Sequence, residues 1–241
     1  MSLALKVALG PLLFAQALRT RRRLPKLPEA DGPRSGAVGR GRALSLLVLG
    51  DSSAAGVGVE TQEQALAMQL ARSLAARAKR RVQWQLRARS GVTTAQAMAL
   101  LQEAPLHPAE VAVIVTGVND VTDQVPPERA IAAREALCRA LRDAHGVRHL
   151  VLTPVPPMQR FAGLPQPLRW IAGRDAAAHD RALAVWASVQ HDVSHLPFDL
   201  PLDAALLARD GFHPGAEVYR AWGQALAEHI AGQVLPRLSM T

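Results

Sequence analysis

A serine, a histidine and an aspartate are spaced along this 241-residue chain so that they could break an acyl bond if the fold brings them together. The apolar run 44–49 stops abruptly at Gly50-Asp51-Ser52, which leaves Ser52 at the carboxyl end of an expected buried strand. A hydroxyl fixed on a tight turn there acts as a nucleophile when a base reaches it. Far downstream, Asp210-Gly-Phe-His213 stands directly before Pro214, which suits the first turn of a helix. An Asp three residues ahead of a His can accept one imidazole N–H, fixing the tautomer and leaving the other ring nitrogen to take the proton of Ser52. Ser90-Gly91 and Gly117-Val-Asn119-Asp120 end two further expected strands. Each of these groups also has a plain structural use, as a strand-ending glycine, a helix cap, an Asx turn or a surface turn. Their joint occurrence at four strand or loop ends points to a site.

The elements that must position them follow from hydrophobic periodicity. Apolar or alternating runs predict strands over 44–49, 81–89, 110–116, 147–152 and 193–198. Helical spacing, capped in one case by Thr93 or Thr94, predicts helices over 64–79, 95–101, 128–145, 175–190 and 214–234. Strands and helices alternate, and each parallel crossover needs a helix. The expected fold is therefore α/β, a three-layer α/β/α sandwich around a five-stranded parallel sheet whose carboxyl ends share one crevice. Residues 43–235 form this domain and 236–241 a tail. Residues 24–42, broken by prolines and glycines, read as a linker.

Composition narrows the chemistry. Hydrophobic residues make up 49% of the chain, enough for a sizeable core. The single cysteine, Cys138, excludes an intrachain disulfide and falls in a helical pattern as a small core residue. No Cys or His cluster has zinc spacing and no Walker-type loop occurs, so neither a metal nor an organic cofactor is expected. The net charge of +8 is a property of the tail: residues 1–42 carry nine Lys or Arg against Glu29 and Asp31.

Residues 1–18 are apolar except for Ser2, Lys6 and Gln16, and Arg19, Arg21, Arg22, Arg23 and Lys26 follow at once. The stretch is short for a span and Gly10-Pro11 interrupts it, so residues 1–23 read as an interfacial leader with its arginines at anionic headgroups. This predicts a membrane-associated protein on the cytoplasmic side, with no nucleic-acid partner. The rival is a signal peptide cleaved near Ala15-Gln-Ala17, giving a periplasmic or secreted protein.

The blocks Gly50-Asp51-Ser52, Gly91, Gly117-Val118-Asn119-Asp120 and Asp210 with His213 resemble those of the SGNH (GDSL-type) hydrolase superfamily, over residues 43–235. Ser53 stands where the family name expects Leu. The resemblance implies a flavodoxin-like sheet, Ser52 as nucleophile, His213 as general base and acid, and Asp210 orienting it. It also implies an oxyanion hole from the N–H groups of Ser52 and Gly91 and the amide of Asn119. Asp51 and Asp120 are counted as candidate substrate contacts, as are Met158 and Phe161 in the irregular segment 155–174, which also carries Leu164, Leu168 and Trp170. The activity implied is a serine esterase or lipase-like acyl hydrolase on small-molecule or lipid acyl esters. A carbohydrate acetylesterase, an acyl thioesterase and a non-catalytic membrane-tethered binding module are the alternatives.

Overall fold

A computed structural model describes residues 3–197, 203 and 205–239. In chain order the elements are α1 (Leu3–Arg23), β1 (Ser35–Val38), β2 (Ala43–Gly50), α2 (Leu66–Ala78), β3 (Arg81–Ala88), a 3-10 helix (Gln96–Leu101), β4 (Val111–Val115) and α3 (Val118–Thr122). They continue with α4 (Pro127–His145), β5 (His149–Leu152), a 3-10 turn (Met158–Arg160), α5 (Leu168–Ser188), β6 (Val193–His195), α6 (Ala216–His229), a π-helical turn (Ile230–Val234) and α7 (Leu235–Leu238).

The sheet order is β1-β3-β2-β4-β5-β6, with every pair parallel except β1 with β3. β4 and β5 are buried along their whole length, as strands covered on both faces must be. On one face Leu44, Leu46 and Val48 pack with Leu66, Leu70 and Leu74 of α2 and Val218, Trp222 and Leu226 of α6. On the other, Leu47 and Leu49 pack with Leu137, Cys138 and Leu141 of α4 and Leu183 of α5. Cys138 is fully buried, and burial pushes its thiol pKa up to about 11.

The parallel α/β/α architecture is the one expected, but the sheet has six strands. The extra strand, β1, lies in the stretch read as a linker. Ser-Gly-Ala-Val has no apolar alternation and is mostly exposed, because it closes the sheet at its edge. Gly36 lets the backbone lie against Trp84, where a Cβ would come 3.2 Å from the indole nitrogen.

Four local differences remain. The stretch 95–101 is a 3-10 rather than an α-helix. α1 continues through Pro11 to Arg23, although Gly10-Pro11 was expected to interrupt it. α5 starts at Leu168, so the last part of the segment read as irregular is helical. Gly173 there breaks no helix; it lets α5 approach the 3-10 turn, where a Cβ would sit 2.5 Å from Gln159 Oε1. Of the expected strand 193–198, the sheet takes Val193–His195, and Phe198 lies outside the described residues.

Candidate active site

The nucleophile turn starts where β2 meets β4. Asp51 N–H donates to Val115 O at 2.9 Å, so the two backbones come so close that a Cβ on Gly50 would lie 2.2 Å from that oxygen. Ala55 N–H returns to Asp51 O and Val57 N–H to Ser52 O, winding residues 51–57 into helical turns with Ser52 at the crevice.

The Asp210–His213 loop arrives from the other side. A Cβ on Gly58, at φ +107°, would lie 2.2 Å from Pro214 O, and the buried Tyr219 hydroxyl donates to Val57 O at 2.7 Å. These contacts register the loop before α6 against the turn after β2. As a result His213 Nε2 lies 2.9 Å from Ser52 Oγ, and His213 Nδ1 lies 2.6 Å from Asp210 Oδ2. Asp210 Oδ1 accepts the backbone N–H groups of Phe212 and His213, each at 3.0 Å. Burial pushes the Asp210 pKa up, yet the His213 hydrogen bond and these two amides outweigh it and hold the carboxyl below its ordinary value. An ionised Asp210 accepts only, so Nδ1 carries the proton and Nε2 is left to accept from the Ser52 hydroxyl.

The three groups expected as oxyanion donors keep N–H groups available. Among the described residues, the backbone N–H groups of Ser52 and Gly91 donate to no other group. Asn119 Nδ2 gives one N–H to Val92 O at 3.0 Å, which orients the amide and leaves its second N–H for a ligand. Gly117, capping α3 at φ +136°, could carry no side chain: a Cβ would meet Val155 at 2.7 Å.

A cavity of about 40 Å³ opens at Ser52, with apolar walls that include Val118, Pro156, Phe161, Phe212 and Trp222. The Phe161 and Phe212 rings lie 4.8 Å apart, and Phe212 meets the His213 ring edge-on at 5.1 Å.

The other expected contacts separate. Phe161 lines the cavity, whereas Met158 does not and is buried in the core. Asp51 borders the cavity but its Oδ1 accepts the Ser53 N–H at 3.0 Å, and burial raises its pKa to about 7. Asp120 does not line this cavity. It is buried, and its two oxygens accept the Thr94 N–H at 3.0 Å and the Thr94 hydroxyl at 2.5 Å. A carboxylate just after Gly-x-Asn looks from sequence like a ligand contact; here it ties α3 to the loop after β3.

Sequence reading missed the residues that hold these loops. Arg134 of α4, also buried, donates to Thr94 Oγ1 at 3.0 Å and to Thr116 O at 3.3 Å. Glu29 accepts the Ser90 N–H at 2.7 Å and pairs with Arg34, whose guanidinium reaches Ala88 O at 2.6 Å. Ala30 N–H donates to Ala55 O, and Gln62 Nε2 bonds the carbonyls of both. The stretch expected as a linker is thus strapped to the nucleophile turn and to the Ser90–Gly91 loop.

Residues 48–221 match the GDSL-like Lipase/Acylhydrolase family. A GDSL-like esterase of Mycobacterium tuberculosis is 31% identical over 233 residues, covering 86% of this chain and 72% of that protein. The fold is similar to that of a lipase from a goat rumen metagenome, at 18% identity and TM-score 0.64 over 79% of this chain and 99% of that one. It is also similar to that of the esterase EstA from Pseudoalteromonas, at 18% identity and TM-score 0.53 over 81% of this chain and 98% of that one.

Proposed function

The chain belongs to the GDSL-like lipase/acylhydrolase family and is a serine ester hydrolase; on that premise we propose that Ser52, His213 and Asp210 cleave short-chain acyl esters through an acyl-enzyme. The observation that carries this reading is the continuous chain of hydrogen bonds from Ser52 Oγ to His213 Nε2, at 2.9 Å, and from His213 Nδ1 to Asp210 Oδ2, at 2.6 Å.

Ser52 Oγ attacks the acyl carbon as His213 Nε2 takes its proton. The imidazolium so formed is stabilised by the ionised Asp210 carboxylate. The carbonyl oxygen becomes an oxyanion facing the N–H groups of Ser52 and Gly91 and the free N–H of Asn119. Removing one such donor typically costs about 2.7 to 4 kcal/mol of transition-state stabilisation. Collapse breaks the bond to the alcohol, which leaves with the proton from His213. Water, deprotonated by His213, then attacks the acyl-serine, and a second collapse returns Ser52 and releases the acid.

The size of the cavity is what supports a short acyl group. About 40 Å³ is room for roughly three water-sized groups, which suits an acetyl or propionyl group rather than a fatty chain. The same size supports a second reading, an acetylester of a carbohydrate. Initial rates on p-nitrophenyl esters from acetyl to palmitoyl, beside Ser52→Ala, test the proposal. Loss of all activity in the variant and a decline beyond propionyl support it. An optimum at long chains contradicts the short-acyl assignment, and an active Ser52→Ala contradicts the nucleophile. Competition by acetylated sugars separates the second reading.

A further inference from the structure

We propose that the groove between α1 and residues 162–165 binds the phosphate of an anionic phospholipid headgroup, with the outer face of α1 lying on the bilayer. Nothing in the hydrolytic reaction uses this groove.

Its shape comes from the way the leader helix docks. The Gln16 side chain donates to Gln166 O at 2.7 Å and accepts the Leu168 N–H at 3.2 Å, fixing α1 beside the start of α5. Between these elements a groove of about 360 Å³ is lined by Gln16, Arg19, Thr20 and Arg23 on the helix side and by residues 162–165 opposite. Among the described residues, its only charged lining groups are the two arginines. Among the described residues, no carboxylate pairs with either one.

At 100° per residue, Gln16, Arg19, Thr20 and Arg23 share one face of α1, while Phe14, Leu18, Arg21 and Arg22 share the opposite one. Phe14 is 72% exposed and Leu18 40% exposed, so the outer face presents two apolar side chains and then two cations. That order fits a bilayer interface, where apolar groups enter the acyl boundary and arginines stay at the headgroups. Apolar side chains followed along the same face by cations match the depth order of a bilayer interface, which favours the lipid over a nucleic acid. On the inner face, two guanidinium groups one turn apart and a hydroxyl form a donor set matched to phosphate oxygens. Among the described residues no helix is long and apolar enough to cross a membrane, so the proposal is one of lying on the surface.

The groove also adjoins the hydrolytic site. Phe161 walls the acyl cavity, and the next residues, 162–165, wall the groove. Gly163 N–H donates to Gly211 O at 3.2 Å, within the loop that carries Asp210 and His213. A headgroup in the groove would lie one loop away from the catalytic histidine.

The test is co-sedimentation of the full chain with vesicles of phosphatidylcholine, with or without phosphatidylglycerol, a readout independent of hydrolysis. Two double variants remove equal charge: Arg19→Gln with Arg23→Gln in the groove, and Arg21→Gln with Arg22→Gln on the outer face. Diffuse attraction to a charged surface would weaken both by the same factor, on the order of 30-fold. A built site weakens the groove pair at least about ten-fold further than the outer pair, while hydrolysis of soluble p-nitrophenyl acetate stays within about two-fold for both. Equal losses overturn the proposal, as does equal binding of the wild type to vesicles lacking phosphatidylglycerol. Stabilisation by inorganic phosphate that the groove pair abolishes, without vesicle binding, assigns the groove to a soluble phosphate and overturns the lipid. Binding to duplex DNA in place of vesicles overturns it as well.

Discussion

Glu29 accepts the backbone N–H of Ser90 at 2.7 Å, across 61 positions of sequence. The next peptide supplies the Gly91 N–H, so under the proposed mechanism a carboxylate from the stretch before the domain's first parallel strand would set the aim of an oxyanion donor. Arg34 holds Glu29 in turn, and hydrogen bonds from Ser90 and Arg34 outweigh burial to keep its carboxyl below the ordinary value.

Glu29→Ala is therefore expected to lower kcat by roughly ten- to a hundred-fold, the usual scale for a misaimed catalytic group, with little change in KM. Glu29→Gln keeps an acceptor oxygen and should retain most of the activity. Steady-state kinetics of the two variants check this. Equal losses would mean that the charge, rather than the hydrogen bond, is what matters.

Arg134 and Asp120 are linked through Thr94, whose hydroxyl donates to Asp120 and accepts from Arg134. Removing the cation leaves a buried carboxylate without its nearest counter-charge. Arg134→Leu should destabilise the fold by about 3 kcal/mol, and adding Asp120→Asn should recover part of that loss. Urea denaturation of the single and double variants measures the coupling. Strictly additive effects would contradict it.

Much of the fold could be read from the chain because its strands are buried on both faces. Runs such as Val111–Val115 announce themselves as continuous apolar segments, and the α/β alternation then fixes the topology. Ser52, Asp210 and His213, which hydrogen bonds join, could be picked out because turn chemistry placed them at strand or loop ends. β1 was not legible, since it pairs through backbone groups alone and its side chains are mostly exposed. Nor was the role of Asp120, because its sequence neighbours show a carboxylate without showing Thr94 and Arg134 around it.

A separate cluster should add to the pH dependence of stability. His149 Nε2 lies 3.1 Å and His229 Nε2 2.7 Å from Ser194 Oγ. Burial lowers the His149 pKa from 6.5 to about 4, with His229, Arg237 and His191 acting in the same direction and Asp192 opposing. The folded state keeps His149 neutral, so as pH falls the unfolded chain takes up the proton first. Its contribution to stability is therefore present above pH 6.5, is lost progressively down to about 4, and changes no further below that. His149→Gln should flatten the fall of Tm across this window. Parallel Tm curves for variant and wild type would remove His149 as the cause.

The most direct test of the Ser52–His213 pair is labelling by a fluorophosphonate, followed by mass spectrometry of the intact and digested chain. Under the proposed mechanism Ser52 Oγ displaces fluoride rapidly when His213 takes its proton, so the wild type should gain one adduct, located on Ser52. Ser52→Ala should gain none, and His213→Ala should react more slowly by three or more orders of magnitude. An adduct on another residue, or labelling of His213→Ala at the wild-type rate, would contradict Ser52 as a nucleophile activated by His213.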